Sequence, residues 1–405
     1  MKLIRLFTAG NVDDGKSTLI GRLLIDSGAV STDIIQGLTK ANELGSEKSE
    51  IDLAFLTDGL KAERELGITI DVAYKYFSTH TNKFIIADTP GHWEYTRNMF
   101  TGASLCDVAI ILVDVTIGIT EQTKRHALIA SILRVKQIVF AINKMDLIKY
   151  DEAVFEEMKT ALLDLSYKVR IISPTVLPIS ALKGENVVHK SAVFSWFKGP
   201  SLFDYLENCP QEKELESTRM RFQVQYLIHA NKSIGYAGRI DQGDFRVGQA
   251  LLLLPKGQNL VIKEIIHNTQ SVKLAESGSA VSLYFTNEPE IKRGDILTDL
   301  EKPPRIGNQF TADICWMSEA NSDFQTNYII QIGTRTLSAK LVCIHEKRLE
   351  NRTISDNLML NDIATVDMIT DTEVVFDRFE DAKSTGSFIL IDPVLFTTIA
   401  AGIII

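Results

Sequence analysis

Gly10-Asn11-Val12-Asp13-Asp14-Gly15-Lys16-Ser17 is the stretch on which the reading of this 405-residue chain turns. It fits GxxxxGK[ST], and its flanks give the pattern meaning. An apolar run over 3–7 precedes it, and a helical pattern over 16–26 follows. Such a loop turns its backbone N–H groups inward around phosphate, and the helix N-terminus adds favourable partial charge. Lys16 is then expected to reach the β- and γ-phosphates and the Ser17 hydroxyl to ligate Mg²⁺, with Thr18 among the nucleotide contacts.

Three further motifs lie downstream. Asp88-Thr89-Pro90-Gly91-His92 closes an apolar run over 83–88. A carboxylate there can hold Mg²⁺ through water, and Gly91 permits close backbone approach to a γ-phosphate. Asn143-Lys144-Met145-Asp146 follows the run over 137–142. Its carboxylate can accept from both N1–H and N2–H₂ of guanine, which adenine does not offer, so it selects GTP over ATP. Ser180-Ala181-Leu182 would close over the base through backbone N–H groups. Between these, Thr69 in the 63–71 stretch is a candidate second hydroxyl ligand for Mg²⁺; a charged surface turn is the other reading.

Apolar runs over 3–7, 83–88, 108–114 and 137–142 alternate with helical patterns near 16–26, 92–104, 122–133 and 151–167. That alternation implies βαβ units and a mainly parallel sheet. The runs 71–77 and 83–88 are joined by only five residues, too few for a parallel crossover, so they are expected to pair as an antiparallel hairpin. After a charged linker near Cys209 the texture becomes short β-rich runs with glycine turns, broken again near 301. The expected architecture is an α/β domain over 1–210 followed by two small all-β barrels over 218–300 and 305–405.

Composition agrees with globular domains: 45% hydrophobic and 23% charged residues, with a formal net charge of -9. No three basic residues are consecutive, which argues against nonspecific nucleic-acid binding. Cys106, Cys209, Cys315 and Cys343 show no metal-ligand spacing and are expected to be free buried thiols. The N-terminal apolar stretch breaks at Asn11 and Asp13, too early for a signal peptide, and the apolar tail 394–405 is too short to span a bilayer. A cytoplasmic location is expected.

GNVDDGKST, GITI, DTPGH, NKMD and SAL, in this order, resemble the translation-factor class of P-loop GTPases. Within it the chain is most similar to the GTPase subunit of bacterial heterodimeric ATP sulfurylase, through stretches 12–24, 58–77, 83–92 and 95–104. PISALKGENVV, WFKGPSL, GYAGRIDQG, KRGDIL and TGSFILID extend the likeness along almost the whole chain. Elongation factor Tu shares the nucleotide motifs but not Asp14 or the DVAYKYF strand. Departures from the family's pattern fall at Trp93, at 231–234 and at 321–326.

The resemblance implies GTP and Mg²⁺ as cofactors and a smaller catalytic partner, sulfate adenylyltransferase subunit 2. That partner would join ATP and sulfate into adenosine 5′-phosphosulfate (APS) and pyrophosphate, driven by GTP hydrolysis in this chain. No fused APS kinase domain is expected. His92 falls where this class places the residue orienting the attacking water, although a histidine there could also cap the following helix. The expected catalytic set is therefore His92, Lys16 and Thr69, with switch segments around 67–69 and 92–101. Asp13 could serve a monovalent ion or the loop's structure, and Asp14 could equally be a solvated loop residue. Two other readings stay open: a translation GTPase carrying aminoacyl-tRNA, and a regulatory GTPase of a specialised sulfation pathway.

Overall fold

The computed structural model describes residues 2–30, 71–79, 81–92, 96–104, 106–209, 219–230, 233–287, 289–348 and 357–405. The chain divides into two compact units, Met1–Pro210 and Gln211–Ile405.

The first unit is built on strands β1 (Lys2–Ala9), β2 (Ala73–Ser78), β3 (Asn82–Asp88), β4 (Val108–Asp114), β5 (Gln137–Asn143) and β6 (Thr175–Pro178). They form one sheet in the order β2-β3-β1-β4-β5-β6. Every pairing is parallel except β2–β3, the hairpin expected from its short connection. The sequence of β4, VAIILVD, is buried at every position because helices cover both faces of a parallel sheet.

Five helices accompany the sheet among the described residues: α1 (Lys16–Asp26), α2 (Thr96–Ala103), α3 (Glu121–Ile132), α4 (Glu152–Lys168) and α5 (Leu202–Glu207). Local chemistry sets where two of them start. The Thr120 hydroxyl accepts from the Thr123 amide in a reciprocal capping box, and the Asp151 carboxylate accepts from the amides of Ala153 and Val154. On one face, α1 packs Leu19, Ile20 and Leu23 against Leu6, Ile86 and Ile110.

Strand order reverses about β1, with β3 on one side and β4 on the other. The C-terminal ends of strands at such a switch point are where open α/β sheets bind ligands. Those ends carry the Gly10 loop, Asp88, Asp114 and Asn143.

The second unit holds two closed barrels. The first joins β7 (Arg221–Ala230), β8 (Ser233–Gln242), β14 (Ala280–Phe285), β11 (Gln258–His267), β10 (Ala250–Leu254) and β15 (Ile296–Thr298), with β10 pairing both β11 and β15 to close the ring. The short strands β9 (Phe245–Arg246), β12 (Gln270–Val272) and β13 (Leu274–Ala275) decorate it. The second barrel runs in the order β16 (Arg305–Trp316), β19 (Ile363–Phe376), β18 (Arg335–Lys347), β17 (Tyr328–Ile332), β20 (Ser387–Ile391), β21 (Thr398–Ile404). Alternation is clean in β17, where Tyr328, Ile330 and Ile332 point into the core.

One expectation on the cysteines needs correction. Cys106 and Cys315 are buried, but Cys209 is half-buried and Cys343 exposed, because the latter sits beside a bulge in β18 where the register against β19 shifts.

The barrels are joined by a buried charge. Arg221, at the start of β7, grips Asp377, just past β19, with two bonds of 2.8 and 2.7 Å. Its remaining donors reach the Thr298 hydroxyl and the carbonyls of Met220 and Lys302. Asp377 also accepts from the Thr385 hydroxyl. Removing one partner strands the other, which for a buried pair costs about 3–5 kcal/mol. Asp377→Ala is therefore expected to lower the unfolding free energy of this unit by that amount, and the apolar pair Arg221→Met with Asp377→Leu by much less. Urea unfolding followed through the buried Trp316 would measure both; equal losses would show that the charge pairing itself contributes little.

Candidate nucleotide site

The phosphate loop is held from within by opposite charges. The Asn11 amide donates to Asp14 Oδ2 at 2.6 Å, and the Asn11 carbonyl accepts from Lys16 Nζ at 2.7 Å. Lys16 also donates to the Gly10 carbonyl at 3.0 Å. Its ammonium is buried, and burial pushes its pKa down against the opposing pull of Asp88, Asp14 and Asp13. Asp14 is buried at 2% exposure, so the reading of it as a solvated residue is corrected: its carboxylate folds back into the loop. Burial raises its pKa, while the Asn11 amide and the Lys16 charge work the other way. Asp13 points outward, with a left-handed φ of 67°.

Two glycines are required by close approach. Gly15 has φ 93°, and a Cβ there would lie 2.5 Å from Asn143 Nδ2. A Cβ on Gly91 would collide with Lys16 Nζ. The β3 motif therefore sits directly against the phosphate loop. In it Asp88 is buried and accepts from the Thr8 hydroxyl at 3.3 Å, and Thr89 donates to the Thr8 carbonyl at 2.6 Å. Pro90 is buried too, and His92 is half-buried. Helix α2 is described from Thr96 onward.

A side-chain amide ties the loops together. Asn143 Nδ2 donates to the Asp14 carbonyl at 2.8 Å, and its Oδ1 accepts from the Ala181 amide at 2.9 Å. Lys144, at φ 62°, swings its ammonium 2.6 Å from Asp114 Oδ2. Burial would raise the Asp114 pKa, but Lys144 and the Thr116 hydroxyl and amide outweigh it and hold the carboxyl below its ordinary range. Met145 is buried beneath, and the Ser180 hydroxyl donates to Asp146 Oδ1 at 2.6 Å. The Ser180 amide donates to the Glu185 carbonyl. The Ala181 amide is given to Asn143, the Leu182 amide has no acceptor among the described residues, and the Leu182 side chain is exposed.

The structure thus brings together the stretches Gly10–Thr18, Asp88–His92, Asn143–Asp146 and Ser180–Leu182, with Val12, Ser17 and Thr18 half-buried along the loop. Thr69 and Trp93 lie outside the described residues. A hydroxyl at Ser17 and a carboxylate at Asp88 are hard oxygen donors, a set that suits Mg²⁺ rather than a thiophilic ion. Among the described residues no group of three or more His, Cys, Asp or Glu is arranged to hold a metal, and no helix is long and apolar enough to cross a membrane.

Sequence reading missed His126, on α3. It is fully buried, with its Nε2 2.9 Å from the Gln122 side-chain amide. Nδ1 has no hydrogen-bond partner among the described residues. Burial first, then the charges of Lys16 and Arg125, push its pKa down to about 3. A buried histidine carries no local signature; the helical spacing of Gln122 and His126 was the one available clue.

Comparison with known proteins agrees with this geometry. The Elongation factor Tu GTP binding domain family matches residues 1–226, and the GTP-eEF1A C-terminal domain-like family matches 309–405. Sulfate adenylyltransferase subunit 1 of Aeromonas salmonicida (strain A449) is 42% identical over 409 residues, covering 100% of this chain and 87% of its own length. The protein of that name from Cellvibrio japonicus is 42% identical with the same coverages, and that from Colwellia psychrerythraea is 40% identical, covering 100% and 88%. Among solved structures, the S. cerevisiae Ski7 GTPase-like domain bound to GTP matches with a TM-score of 0.54 at 16% identity, covering 100% of this chain and 97% of its own. That last likeness is one of fold.

His126 yields a pH prediction with a definite sign. Its folded pKa lies below the unfolded value of 6.5, so its effect is absent above that pH and appears as pH falls. Between 6.5 and about 3 the unfolded chain takes up a proton that the folded chain refuses, at about 1.4 kcal/mol per pH unit. His126→Gln should flatten the acid limb by that slope in denaturant unfolding at pH 6, 5 and 4. An unchanged slope would mean that His126 is not held neutral.

Proposed function

The chain belongs to the sulfate adenylyltransferase subunit 1 family, and from that membership we propose that it is the GTPase subunit of a sulfate adenylyltransferase, coupling GTP hydrolysis to APS formation on a separate catalytic subunit. The nucleotide half rests on one observation: Asn143 joins the phosphate loop to the Ser180–Ala181 turn, so phosphate and base contacts form one rigid site. The sulfurylase half rests on identity of 40–42% running the length of the chain.

In this reading the amides of the Gly10–Thr18 loop cradle the phosphates, and Lys16 moves from its loop carbonyls to the β- and γ-phosphates. Ser17 and Thr69 would ligate Mg²⁺ directly and Asp88 through water; the ion, when bound, offsets charge on the β- and γ-oxygens. His92 orients the attacking water. Asp146 reads the guanine N1–H and N2–H₂, with the Ser180 hydroxyl holding one of its oxygens in place. Ser180 and Ala181 build the wall behind the base, and the Leu182 amide faces it.

Formation of the phosphosulfate anhydride is uphill, so the two reactions must sense each other through a two-state element. Segments ordered by the γ-phosphate supply one in GTPases, here those around 67–69 and 92–101. The partner proposed is the smaller sulfate adenylyltransferase subunit 2, which carries the ATP and sulfate sites, and the setting proposed is the cytoplasm.

Two measurements test this. The first is one GTPase assay with four additions: nothing, the small subunit, the small subunit with ATP and sulfate, and aminoacyl-tRNA. Turnover should rise with the partner and rise again with both substrates, with APS formed only while GTP is hydrolysed. GTP-dependent binding of aminoacyl-tRNA with no response to sulfate would sink the sulfurylase reading in favour of a translation GTPase. The second is Asp146→Asn, which should weaken GTP binding and improve xanthosine triphosphate binding, because the amide complements O2 of xanthine. Unchanged GTP affinity would mean that Asp146 does not read the base.

A further inference from the structure

Asp14 is a buried anion inside a loop built to receive anions. Its carboxylate is 2% exposed, takes the Asn11 amide at 2.6 Å, and would lie 3.1 Å from a Cβ at Gly10. The Asn11 peptide is therefore clamped at both ends, its N–H by Asp14 and its C=O by Lys16 at 2.7 Å. The Asp14 backbone is also the anchor of the base loops, because its carbonyl accepts Asn143 Nδ2 at 2.8 Å. Side chain and main chain of one residue thus join the two halves of the site. The cations facing it are Lys16 and Lys144, and the latter is already paired with Asp114 at 2.6 Å. A neutral acceptor of the same shape would still make the Asn11 bond, in weaker form. Beyond that added strength, a charge brings repulsion toward polyphosphate.

We propose that Asp14 is a positioning residue with a second effect: it clamps the Asn11 peptide, and its fixed negative charge weakens the loop's hold on guanosine polyphosphates, so that GDP leaves fast without being expelled by another protein. The proposal rests on the guanine-nucleotide reading above and gives it a rate-setting residue. Like charges a few ångströms apart, at the effective dielectric of a half-buried site, change affinity by roughly 10-fold to several hundred-fold.

The test is release of a fluorescent GDP analogue (mant-GDP) from the full chain, chased with excess GDP in a stopped-flow instrument. Wild type is compared with Asp14→Asn and Asp14→Ser, which keep an acceptor and remove the charge, and with Asp14→Ala, which removes both. Release from the Asn and Ser variants should slow at least tenfold, with a matching fall in Kd. Release from the Ala variant should be faster than from those two, because the clamp is gone. A purely structural Asp14 predicts unchanged release in the Asn and Ser variants and faster release in Ala; that pattern overturns the proposal, and either acceptor variant alone decides it if the other does not fold. No binding of mant-GDP or mant-GTP by the wild type and by the Asp14→Asn variant alike overturns instead the guanine reading beneath it.

Discussion

The site depends on the side-chain amide of Asn143. Strand β5 ends there, and one planar group donates to the Asp14 carbonyl while accepting from the Ala181 amide. Neither partner has a regular strand or helix bond to take its place, and unpaired buried polar groups cost about 1–3 kcal/mol each. The amide therefore fixes the distance between the loop that would take phosphate and the turn that would take the base. It also explains Gly15, since any side chain there would meet Asn143 Nδ2 at 2.5 Å. The glycine and the asparagine, 128 positions apart in the chain, form one packing unit.

Much of this was legible in the sequence, for physical reasons that differ by element. β4 reads as a strand buried on both faces because seven successive residues, VAIILVD, leave no polar face, which is the pattern parallel sheets require. The β2–β3 hairpin follows from loop length alone, since a crossover does not fit in so few residues. The motif loops are legible because phosphate and guanine each demand particular groups at fixed spacing. Barrels were expected from the β-rich texture, but which strands close them was not legible in the same way. The pairings β10–β11 and β16–β21 set the two barrels' circumference, and β16–β21 joins residues nearly ninety positions apart without any local mark. Asp14 was left open for a related reason. Whether a carboxylate in a glycine loop faces water or folds beneath it is decided by the Asn11 amide's direction, which sequence does not display.

The second unit follows a different economy. Each barrel has its own apolar core, one around Phe222, Ile240 and Leu283 and the other around Ile314, Val366 and Leu390. The link between them joins a small apolar cluster of Leu254, Ile296 and Val375 to a set of polar bonds: Arg221 with Asp377, the Gln242 amide with the Asp381 carbonyl, and the Thr334 amide with Gln223 Oε1. Directional bonds of this kind fix orientation more sharply than apolar contact of equal area, because a small rotation leaves buried donors unpaired. A pair of barrels held in one orientation can transmit a force that a flexible pair would absorb.

Charge arithmetic at the phosphate loop constrains how a triphosphate can be held at all. Four carboxylates, Asp13, Asp14, Asp88 and Asp114, stand against two ammonium groups, Lys16 and Lys144, and the Lys144–Asp114 pair cancels itself. That leaves three carboxylates and one lysine, an arrangement that repels phosphate if side-chain charges alone are counted. Attraction has to come from elsewhere: from backbone N–H groups turned inward by the loop, from the N-terminus of α1, and from a divalent cation that the Asp88 carboxylate would favour. The first two are fixed by the fold and act on any phosphate chain. The third would depend on an ion bound together with the nucleotide. A loop so short of fixed positive charge is therefore more sensitive to loss of the γ-phosphate than one lined with lysines and arginines. That sensitivity is what a subunit needs if its state is to report whether GTP or GDP is bound.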